Sequence, residues 1–328
     1  MKYSVVIPCY NSALFLKTTV GKIQQIFNRM DYEIILVNDS SPDSTIDIIT
    51  ELVKDNKNII GIDLAHNTGQ HNATMAGFNY VSGDYVITCA DDGQSPMEMW
   101  LEMIDALDDG YDVATVYYTE RGKRSLFRRF GSKIATAFGE WLIDMPKQGG
   151  VAFELVAKRF VIDEMIRYQS PYASINGLVL RTTWNIKKFV CEQHSREVGK
   201  SGYTFKKLLK IFLNQSTAFS VRPLRLASAI GVLFACSGVV MGVVTIVRKL
   251  AGIINYPGFS SIAVILLIGF GLIMVMLGLI GEYVGRIYMV VNMTPQFVVR
   301  REIKNEELEP DACKMDSRNN MLIPSVEE

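Results

Sequence analysis

Two long stretches without a charged residue limit most strongly how this chain can fold. Leu226–Val247 and Phe259–Gly281 each run for more than 20 residues without Asp, Glu, Lys or Arg. A helix of about 20 apolar residues is long enough to cross the hydrocarbon core of a membrane. The pattern therefore predicts two transmembrane helices rather than two buried helices of a soluble protein.

Basic residues around these stretches predict their orientation. Several Lys and Arg residues precede the first stretch and follow the second, while Arg248 and Lys249 lie in the short connection between them. By the positive-inside rule we expect both termini in the cytoplasm. Upstream, Tyr203–Leu213 places Phe and Leu on one helical face and Lys elsewhere, which predicts an amphipathic helix on the membrane surface.

The composition divides the chain into four predicted parts. These are a cytoplasmic domain over residues 1–200, a juxtamembrane amphipathic helix over 201–222, a two-helix transmembrane region over 223–285 and a cytoplasmic segment over 286–328. The tail beyond Lys304 is polar and acidic, so we expect it to be disordered.

The first 120 residues alternate short apolar runs with amphipathic stretches, which predicts an α/β fold with a mainly parallel sheet. The predicted helices lie near 12–28, 43–55, 70–82 and 96–108, with a further helix near 158–168. No glycine-rich dinucleotide motif or P-loop follows the first strand, and the formal net charge of zero gives no reason to expect nucleic acid binding. Strands are predicted at Ser4–Cys9, Glu33–Asn38, Ile59–Leu64, Tyr85–Cys89, Asp112–Tyr117, Gly150–Val156, Leu178–Arg181 and Ile186–Cys191.

Polar residues follow four of these strands at the edge where open α/β sheets bind ligands. The oxygens of Asp91, Asp92 and Gln94 suit Mg²⁺ or Mn²⁺, which would hold a diphosphate. Asp39 can accept a hydrogen bond from uracil or a ribose, and the loop His66–His71 reaches the same edge. Each group also fits a simple helix cap, but their convergence favours a ligand site.

Six stretches of the chain form an ordered set of motifs. They are Val5-Val-Ile-Pro-Cys-Tyr-Asn11, Val37-Asn-Asp-Ser-Ser-Pro-Asp43, Asn67-Thr-Gly-Gln-His71, Asp91-Asp-Gly-Gln-Ser-Pro96, Arg196-Glu-Val-Gly-Lys-Ser-Gly-Tyr203 and Gly281-Glu-Tyr-Val-Gly-Arg-Ile-Tyr288. This set resembles the inverting glycosyltransferases of family 2, and within them the polyprenyl-phosphate glycosyltransferases. Members of that group include dolichyl-phosphate mannose synthases, bactoprenol glucosyltransferases and undecaprenyl-phosphate aminoarabinose transferases. The resemblance implies a GT-A-like nucleotide-sugar-binding domain.

The resemblance also implies roles for individual residues. It makes Asp92 and Arg196 the catalytic pair that stabilises the departing diphosphate. It makes Asp92, Gln94 and Asp91 the ligands of Mg²⁺ or Mn²⁺. The implied nucleotide-sugar contacts are Pro8, Tyr10, Asn11, Asp39, Asn67, Gly69, Gln70 and Asp91, with Asp39 as the partner of uracil. The implied acceptor-phosphate contacts are Arg121, Arg128, Ser132, Ser201 and Tyr203, although Arg121 and Arg128 also fit a basic face toward anionic lipid.

Three positions depart from the family's pattern. Ala90 stands where relatives carry the first Asp of the carboxylate motif, and Asn38 stands where they commonly carry another Asp. Ala152-Phe-Glu-Leu155 stands where they often have Asp-Phe-Arg-Leu. Two consequences of Ala90 are open: Asp91 replaces the missing carboxylate by reaching the metal directly or through water, or the affinity for the metal is lower.

The predicted reaction is a one-step displacement at a bacterial inner (plasma) membrane. The phosphate of undecaprenyl phosphate attacks the anomeric carbon of a nucleotide sugar, expected to be UDP-linked, and inverts it. One alternative is a catalytically silent nucleotide-sugar-binding scaffold, which Ala90 would fit. Others are a transporter, or a polysaccharide synthase, whose Gln-x-x-Arg-Trp segment has no match in Arg181-Thr-Thr-Trp184. Glycines in the apolar stretches permit close helix packing and hence a homo-oligomer.

Overall fold

The computed structural model describes residues 1–93, 95–119, 151–192, 222–251 and 259–305. Its strands are β1 (Lys2–Cys9), β2 (Asp31–Asn38), β3 (Ile59–Leu64), β4 (Tyr85–Thr88), β5 (Val113–Thr119), β6 (Leu155–Lys158), β7 (Ile186–Glu192) and β8 (Val299–Ile303). They form one sheet in the order β7-β5-β6-β4-β1-β2-β3-β8. The pairs β1–β2, β1–β4, β2–β3 and β5–β7 are parallel, whereas β6 and β8 run antiparallel to their neighbours.

Helices cover both faces of this sheet. They are α1 (Leu16–Ile26), α2 (Thr45–Asp55), α3 (Gln70–Phe78), α4 (Trp100–Asp108), α5 (Arg159–Met165) and α6 (Ile175–Thr182). Two longer helices follow in the chain, α7 (Arg222–Leu250) and α8 (Phe259–Val291). Helices α1, α2 and α4 pack with Val5 and Ile7 of β1, while α3, α5 and α6 pack with Val6. Successive strand residues point to opposite faces, so a continuous apolar run gives a strand that is buried on both sides, as the sequence predicted.

Helix α3 approaches the sheet closely because it carries Gly77. A Cβ atom at Gly77 would lie 2.4 Å from Val6 Cγ1 and 3.0 Å from Val37 Cγ2. Those distances are too short for any side chain to fit without movement of β1 or β2. The absence of a side chain at Gly77 therefore lets the last turns of α3 pack directly on β1 and β2.

A buried carboxylate, Glu33, connects neighbouring segments at the end of the sheet where β1 and β2 begin. Glu33 is 6% exposed and forms an ion pair with Lys2 at 2.7 Å. It also accepts hydrogen bonds from Ser4 Oγ at 2.6 Å and from the hydroxyl and backbone N–H of Ser82. Burial acts to raise the pKa of Glu33, but the hydrogen bonds from Lys2, Ser4 and Ser82 outweigh it and leave the pKa below its ordinary value.

Helices α7 and α8 have the length and composition of membrane spans. Arg222–Val244 and Ile268–Val291 are both long and apolar enough to cross a bilayer, and in the most apolar 18-residue stretch of each no described residue is buried inside the protein. Apolar surface of this extent is stable when lipid covers it. The two predicted spans correspond to these helices, while their orientation stays a prediction.

The structure corrects two predicted strands. Leu178–Arg181 belongs to helix α6, which buries Ile175, Leu178 and Val179 at helical spacing. Gly150 lies outside the described residues, and in the rest of the predicted run Gly150–Val156 a strand begins only at Leu155. Strand β8 was not predicted, and it extends the sheet by pairing with β3 after the apolar helices. The four-part division of the chain stays a prediction, because residues 193–221 and 306–328 lie outside the described residues.

Candidate active site

The ends of four neighbouring strands bring the predicted loops together. Strands β4, β1, β2 and β3 lie side by side in the sheet and are mutually parallel. Their carboxyl ends therefore meet at one edge, and the segments that follow them contact each other through side chains. The site is built from the segments Tyr10–Ser12, Asp39–Asp43, Ala65–Gly69 and Asp91–Gly93.

Asp91 links the end of β4 to the segment after β1. Its carboxylate accepts hydrogen bonds from Ser12 Oγ and from the backbone N–H of Tyr10, the latter at 3.3 Å. Its backbone carbonyl accepts from Thr19 Oγ1 at 3.2 Å. Burial raises the pKa of Asp91, and the neighbouring Asp92 charge adds to the rise, while the bonds from Ser12 and Tyr10 oppose it. Asp91 is thus held by the protein at the edge where the sequence placed it.

The Asp39 carboxylate accepts hydrogen bonds from the loop that precedes α3. The residue is 2% exposed. Its Oδ1 accepts from the Thr68 N–H at 2.6 Å and from Thr68 Oγ1 at 3.0 Å, and its Oδ2 accepts from the Gly69 N–H at 2.8 Å. Asn67 Nδ2 donates to the Asp39 carbonyl at 3.3 Å. Gly69 has a φ of +84°, a conformation that favours glycine, so this loop is shaped around the Asp39 carboxylate.

Asp43 organises the start of α2. It accepts from Ser41 Oγ, from the Thr45 hydroxyl and N–H, and from the Ala13 N–H at 3.2 Å. Partial burial acts to raise the pKa of Asp43, but the hydrogen bonds from Ser41 and Thr45 outweigh it and lower the pKa. Thr45 Oγ1 in turn accepts from the Ser12 N–H at 3.0 Å. The β1 and β2 segments are therefore tied together through one carboxylate.

Two residues of the site have left-handed backbone conformations. Asn11 has a φ of +57° and Ser40 a φ of +51°. Non-glycine residues adopt such angles rarely, and they concentrate at functional sites. The Asn11 N–H donates to Ser41 Oγ at 2.8 Å, which connects the two strained segments.

The predicted contacts differ in their accessibility. Tyr10 is 46% exposed, and Asn11, Asn67 and Gln70 are also exposed, so their side chains can reach a ligand at this edge. Pro8 is buried within β1, where it pairs with Val37. Its contribution is to the shape of the strand end.

The fit of a divalent cation can be judged from the carboxylates at the end of β4. Among the described residues, no three His, Cys, Asp or Glu side chains come together as a metal site. Mg²⁺ in proteins is commonly held by one or two carboxylates plus substrate phosphates and water. Adjacent Asp91 and Asp92, followed by a turn at Gly93 with a φ of +69°, fit an ion of that kind.

His71 lies in the first turn of α3. Its Nδ1 accepts a hydrogen bond from the Ile175 N–H at 3.4 Å. Its ring and that of Phe153 form an edge-to-face pair with the ring centroids 6.3 Å apart. Burial lowers the pKa of His71, which favours the neutral ring. The contact joins the Gly69–His71 segment to α6.

Seven predicted site residues lie outside the described part of the chain. They are Gln94, Arg121, Arg128, Ser132, Arg196, Ser201 and Tyr203. Their roles stay predictions. The structure in turn adds supporting residues that the sequence did not single out, namely Ser12, Ser41, Thr45, Asp63 and Thr68. Of these, Asp63 carried a usable signal, because a charged residue inside an otherwise apolar strand normally has a specific partner.

The mostly parallel sheet, with acidic and amide residues after neighbouring strands, is of the GT-A-like type of α/β domain. Comparison with known families agrees with this fold. The family described as "Glycosyl transferase family 2" matches residues 4–166, and the one described as "GtrB C-terminal hairpin" matches residues 222–287. The second match spans α7 and most of α8.

Full-length relatives give the same assignment. An uncharacterized glycosyltransferase of Bacillus subtilis (strain 168), YkcC, is 32% identical over 95% of this chain and 98% of its own length. An undecaprenyl-phosphate 4-deoxy-4-formamido-L-arabinose transferase of Photorhabdus laumondii is 33% identical over 92% of this chain and 94% of its own. Among solved structures, glucosyl-3-phosphoglycerate synthase of Mycobacterium tuberculosis is 15% identical, with a TM-score of 0.48, over 66% of this chain and 77% of that one. The chain belongs to glycosyltransferase family 2.

Proposed function

We propose that this protein transfers a sugar from a nucleotide sugar, expected to be UDP-linked, to undecaprenyl phosphate. The observation that carries the proposal is that one chain contains both a polar site at the strand ends and two helices long enough to span a membrane. A polar strand-end site built around Asp39 and Asp91 lies in the same chain as two helices, α7 and α8, long enough to cross a membrane. The arabinose transferase relative, similar over nearly its whole length, supports a lipid-linked phosphate as acceptor.

The proposed reaction is a single displacement with inversion. A phosphate oxygen of the lipid forms a bond to the anomeric carbon while the bond from that carbon to the UDP oxygen breaks. UDP leaves with the electron pair, and a sugar phosphodiester of the lipid remains. The lipid phosphate is already ionised near neutral pH, so no general base has to remove a proton from the nucleophile.

The described residues supply binding and orientation in this proposal. Tyr10 and Asn11 lie exposed beside the strand end, where a nucleoside can stack and donate or accept hydrogen bonds. The Thr68–Gly69 turn, held by Asp39, borders the same space. Arg196, which lies outside the described residues, is proposed to stabilise the departing diphosphate.

A divalent cation is proposed at Asp92, with Asp91 and Gln94 beside it. When bound, Mg²⁺ or Mn²⁺ neutralises charge on the diphosphate. Asp91 already accepts from Ser12 and Tyr10, so we assign it the role of fixing the turn that presents Asp92.

The proposed location is the bacterial inner membrane, with both termini in the cytoplasm. Basic residues near the start of α7 and near the end of α8 support this orientation. The acceptor phosphate then lies at headgroup height on the same side as the sheet, so lipid and donor are brought together by position.

A donor screen tests the proposal. The full chain, in nanodiscs with undecaprenyl phosphate, is supplied with UDP-sugars, including one carrying 4-deoxy-4-formamido-L-arabinose, and the lipids are read by mass spectrometry. We expect one donor to yield a glycosylated lipid phosphate, activity to vanish with a chelator and activity to return with Mg²⁺ or Mn²⁺. Asp92→Asn is expected to lower kcat by about 100-fold or more, whereas Asp109→Asn, an exposed carboxylate after α4, leaves kcat unchanged.

Two results would contradict different parts of the proposal, the metal site and the reaction itself. A fully active Asp92→Asn variant removes the metal assignment while leaving the reaction in place. UDP binding without any lipid product, across all donors, favours instead the silent scaffold suggested by Ala90.

A further inference from the structure

We propose that Asn38 and Asp63 form a matched pair of positioning residues that sets the geometry of the nucleotide-binding segment Asp39–Asp43. The inference rests on the proposed function, because it assigns these residues to binding of the nucleotide donor. Both residues are buried behind that segment, and neither is expected to touch the substrate.

Asp63 is a charged residue inside the sheet. It lies on β3 and is 2% exposed. Its Oδ1 accepts from Asn38 Nδ2 at 2.7 Å. Its Oδ2 faces Arg300 Nη1 and Arg301 Nε of β8, each at 3.5 Å. The strand that follows the apolar helices therefore provides the positive charge that keeps a carboxylate in this position.

Asn38 is oriented by that carboxylate. A carboxylate can only accept hydrogen bonds, so the amide must turn its Nδ2 toward Asp63 and its Oδ1 away. The Oδ1 then accepts from the Ser41 N–H at 3.2 Å. That bond closes a turn over Ser40, which has a φ of +51°, and it places the Ser41 hydroxyl.

The position of Ser41 matters for the rest of the site. Its Oγ accepts from the Asn11 N–H at 2.8 Å and donates to Asp43. A displaced Ser41 would release Asn11 and Asp43 together. The Asn38–Asp63 pair thus acts on the donor site through Ser41.

The identity of residue 38 follows from this geometry. An Asp at position 38 would place two carboxylates at hydrogen-bond distance, a situation in which one of them has to take up a proton. The amide of Asn38 avoids that repulsion while keeping an acceptor for Ser41. In this chain, Asp63 on β3 is therefore a structural reason for an amide at position 38.

Several charged groups surround the pair. Arg300 and Arg301 on β8 face the pair from one side, and Asp43 is connected to it through the Ser41 hydroxyl. The Asp39 carboxylate is turned toward Thr68 and Gly69. In the Asn38→Asp variant, the two arginines and the acidic neighbours have opposite effects on a proton that residues 38 and 63 share. The experiment below therefore determines the pH at which this proton is released.

The test is the pH dependence of the donor KM in the full chain, expressed relative to wild type at each pH from 5.5 to 8.5. In Asn38→Asp we expect a KM near wild type at the acid end, where the pair shares a proton. At the alkaline end we expect a rise of about tenfold or more, equal to the loss of one hydrogen bond. The acceptor KM is expected to stay unchanged throughout.

Two further variants make the test specific. Asn38→Ala removes the amide without adding a charge, so its rise in donor KM is expected to be independent of pH. The double variant Asn38→Asp/Asp63→Asn restores a donor facing an acceptor, so its donor KM is expected to return to within about threefold of wild type. This variant also keeps the test open if Asn38→Asp alone does not fold.

The outcomes separate the inference from the function it rests on. Wild-type protein that binds no UDP by calorimetry rejects the proposed function. Wild-type protein that binds UDP, with an Asn38→Asp donor KM unchanged at all pH values or not rescued by Asp63→Asn, overturns the matched pair.

Discussion

Asp39→Asn tests whether the candidate nucleotide site depends on the loop before α3. The wild-type carboxylate accepts three hydrogen bonds, two from Thr68 and one from the Gly69 N–H, at 2.6–3.0 Å. The amide can accept on one side only, so its NH₂ group must face an N–H donor of Thr68 or Gly69. A hydrogen bond to a charged group contributes about 1.5–3 kcal/mol, and an unpaired buried donor has a similar cost. We therefore expect the formed loop to be destabilised by about 2 kcal/mol, which corresponds to about 30-fold in affinity.

The assay is calorimetric binding of UDP and of CDP to the full chain, together with the thermal unfolding midpoint. Asp55→Asn, an exposed carboxylate at the end of α2, is the matched control and is expected to change neither quantity. Equal losses for UDP and CDP mean that Asp39 acts through the loop, whereas a larger loss for UDP means that it also accepts from uracil. UDP affinity equal to wild type would refute the reasoning, because the loop would then form without its carboxylate.

Other substitutions test the contacts that stabilise the sheet and its helices. Gly77→Ala is expected to lower stability by about 1–3 kcal/mol, whereas Gly21→Ala on α1, where an added Cβ meets nothing within 4 Å, is expected to raise it by up to about 1 kcal/mol. Thermal unfolding measures both, and shifts of the same sign would contradict the packing. Glu33→Gln is expected to cost about 2 kcal/mol at pH 7. The pKa of Glu33 is lowered in the folded state, so its contribution is complete above its ordinary pKa of 4.5 and is lost as the pH falls through the folded value. The gap to wild type should therefore close in acid, and Glu51→Gln, an exposed pair with Lys17, should shift stability by less than about 1 kcal/mol at any pH.

The first four strands were predictable because each is a mainly apolar run, most of which is buried. Their predicted ends lie within two residues of the observed ones, as at Ile59–Leu64. Helix α6 was missed because Leu178–Arg181 is a short apolar run, and period alone does not separate a strand from a buried helix at that length. Strand β8 was missed because Val-Arg-Arg-Glu-Ile has the charges typical of an edge strand.

The position of the candidate site in the sheet was predictable from the sequence, whereas the hydrogen bonds between its segments were not. Asp39 and Asp91 follow strands, so the rule of strand ends located them at one edge. Their partners Thr68 and Ser12 lie 29 and 79 residues away in sequence. No local pattern encodes such a pairing, since it depends on the order of strands in the sheet.

The use of the acidic residues indicates how the site works. Asp39, Asp43 and Asp91 each accept several hydrogen bonds from segments that belong to other strands or to the next helix. The loops are therefore shaped before any ligand arrives, and binding does not have to order them. Preorganised dipoles of this kind act on charge that develops during a reaction without reorganising. It follows that substitutions of these carboxylates should weaken donor binding even where they never touch the donor, and that acceptor binding should be spared.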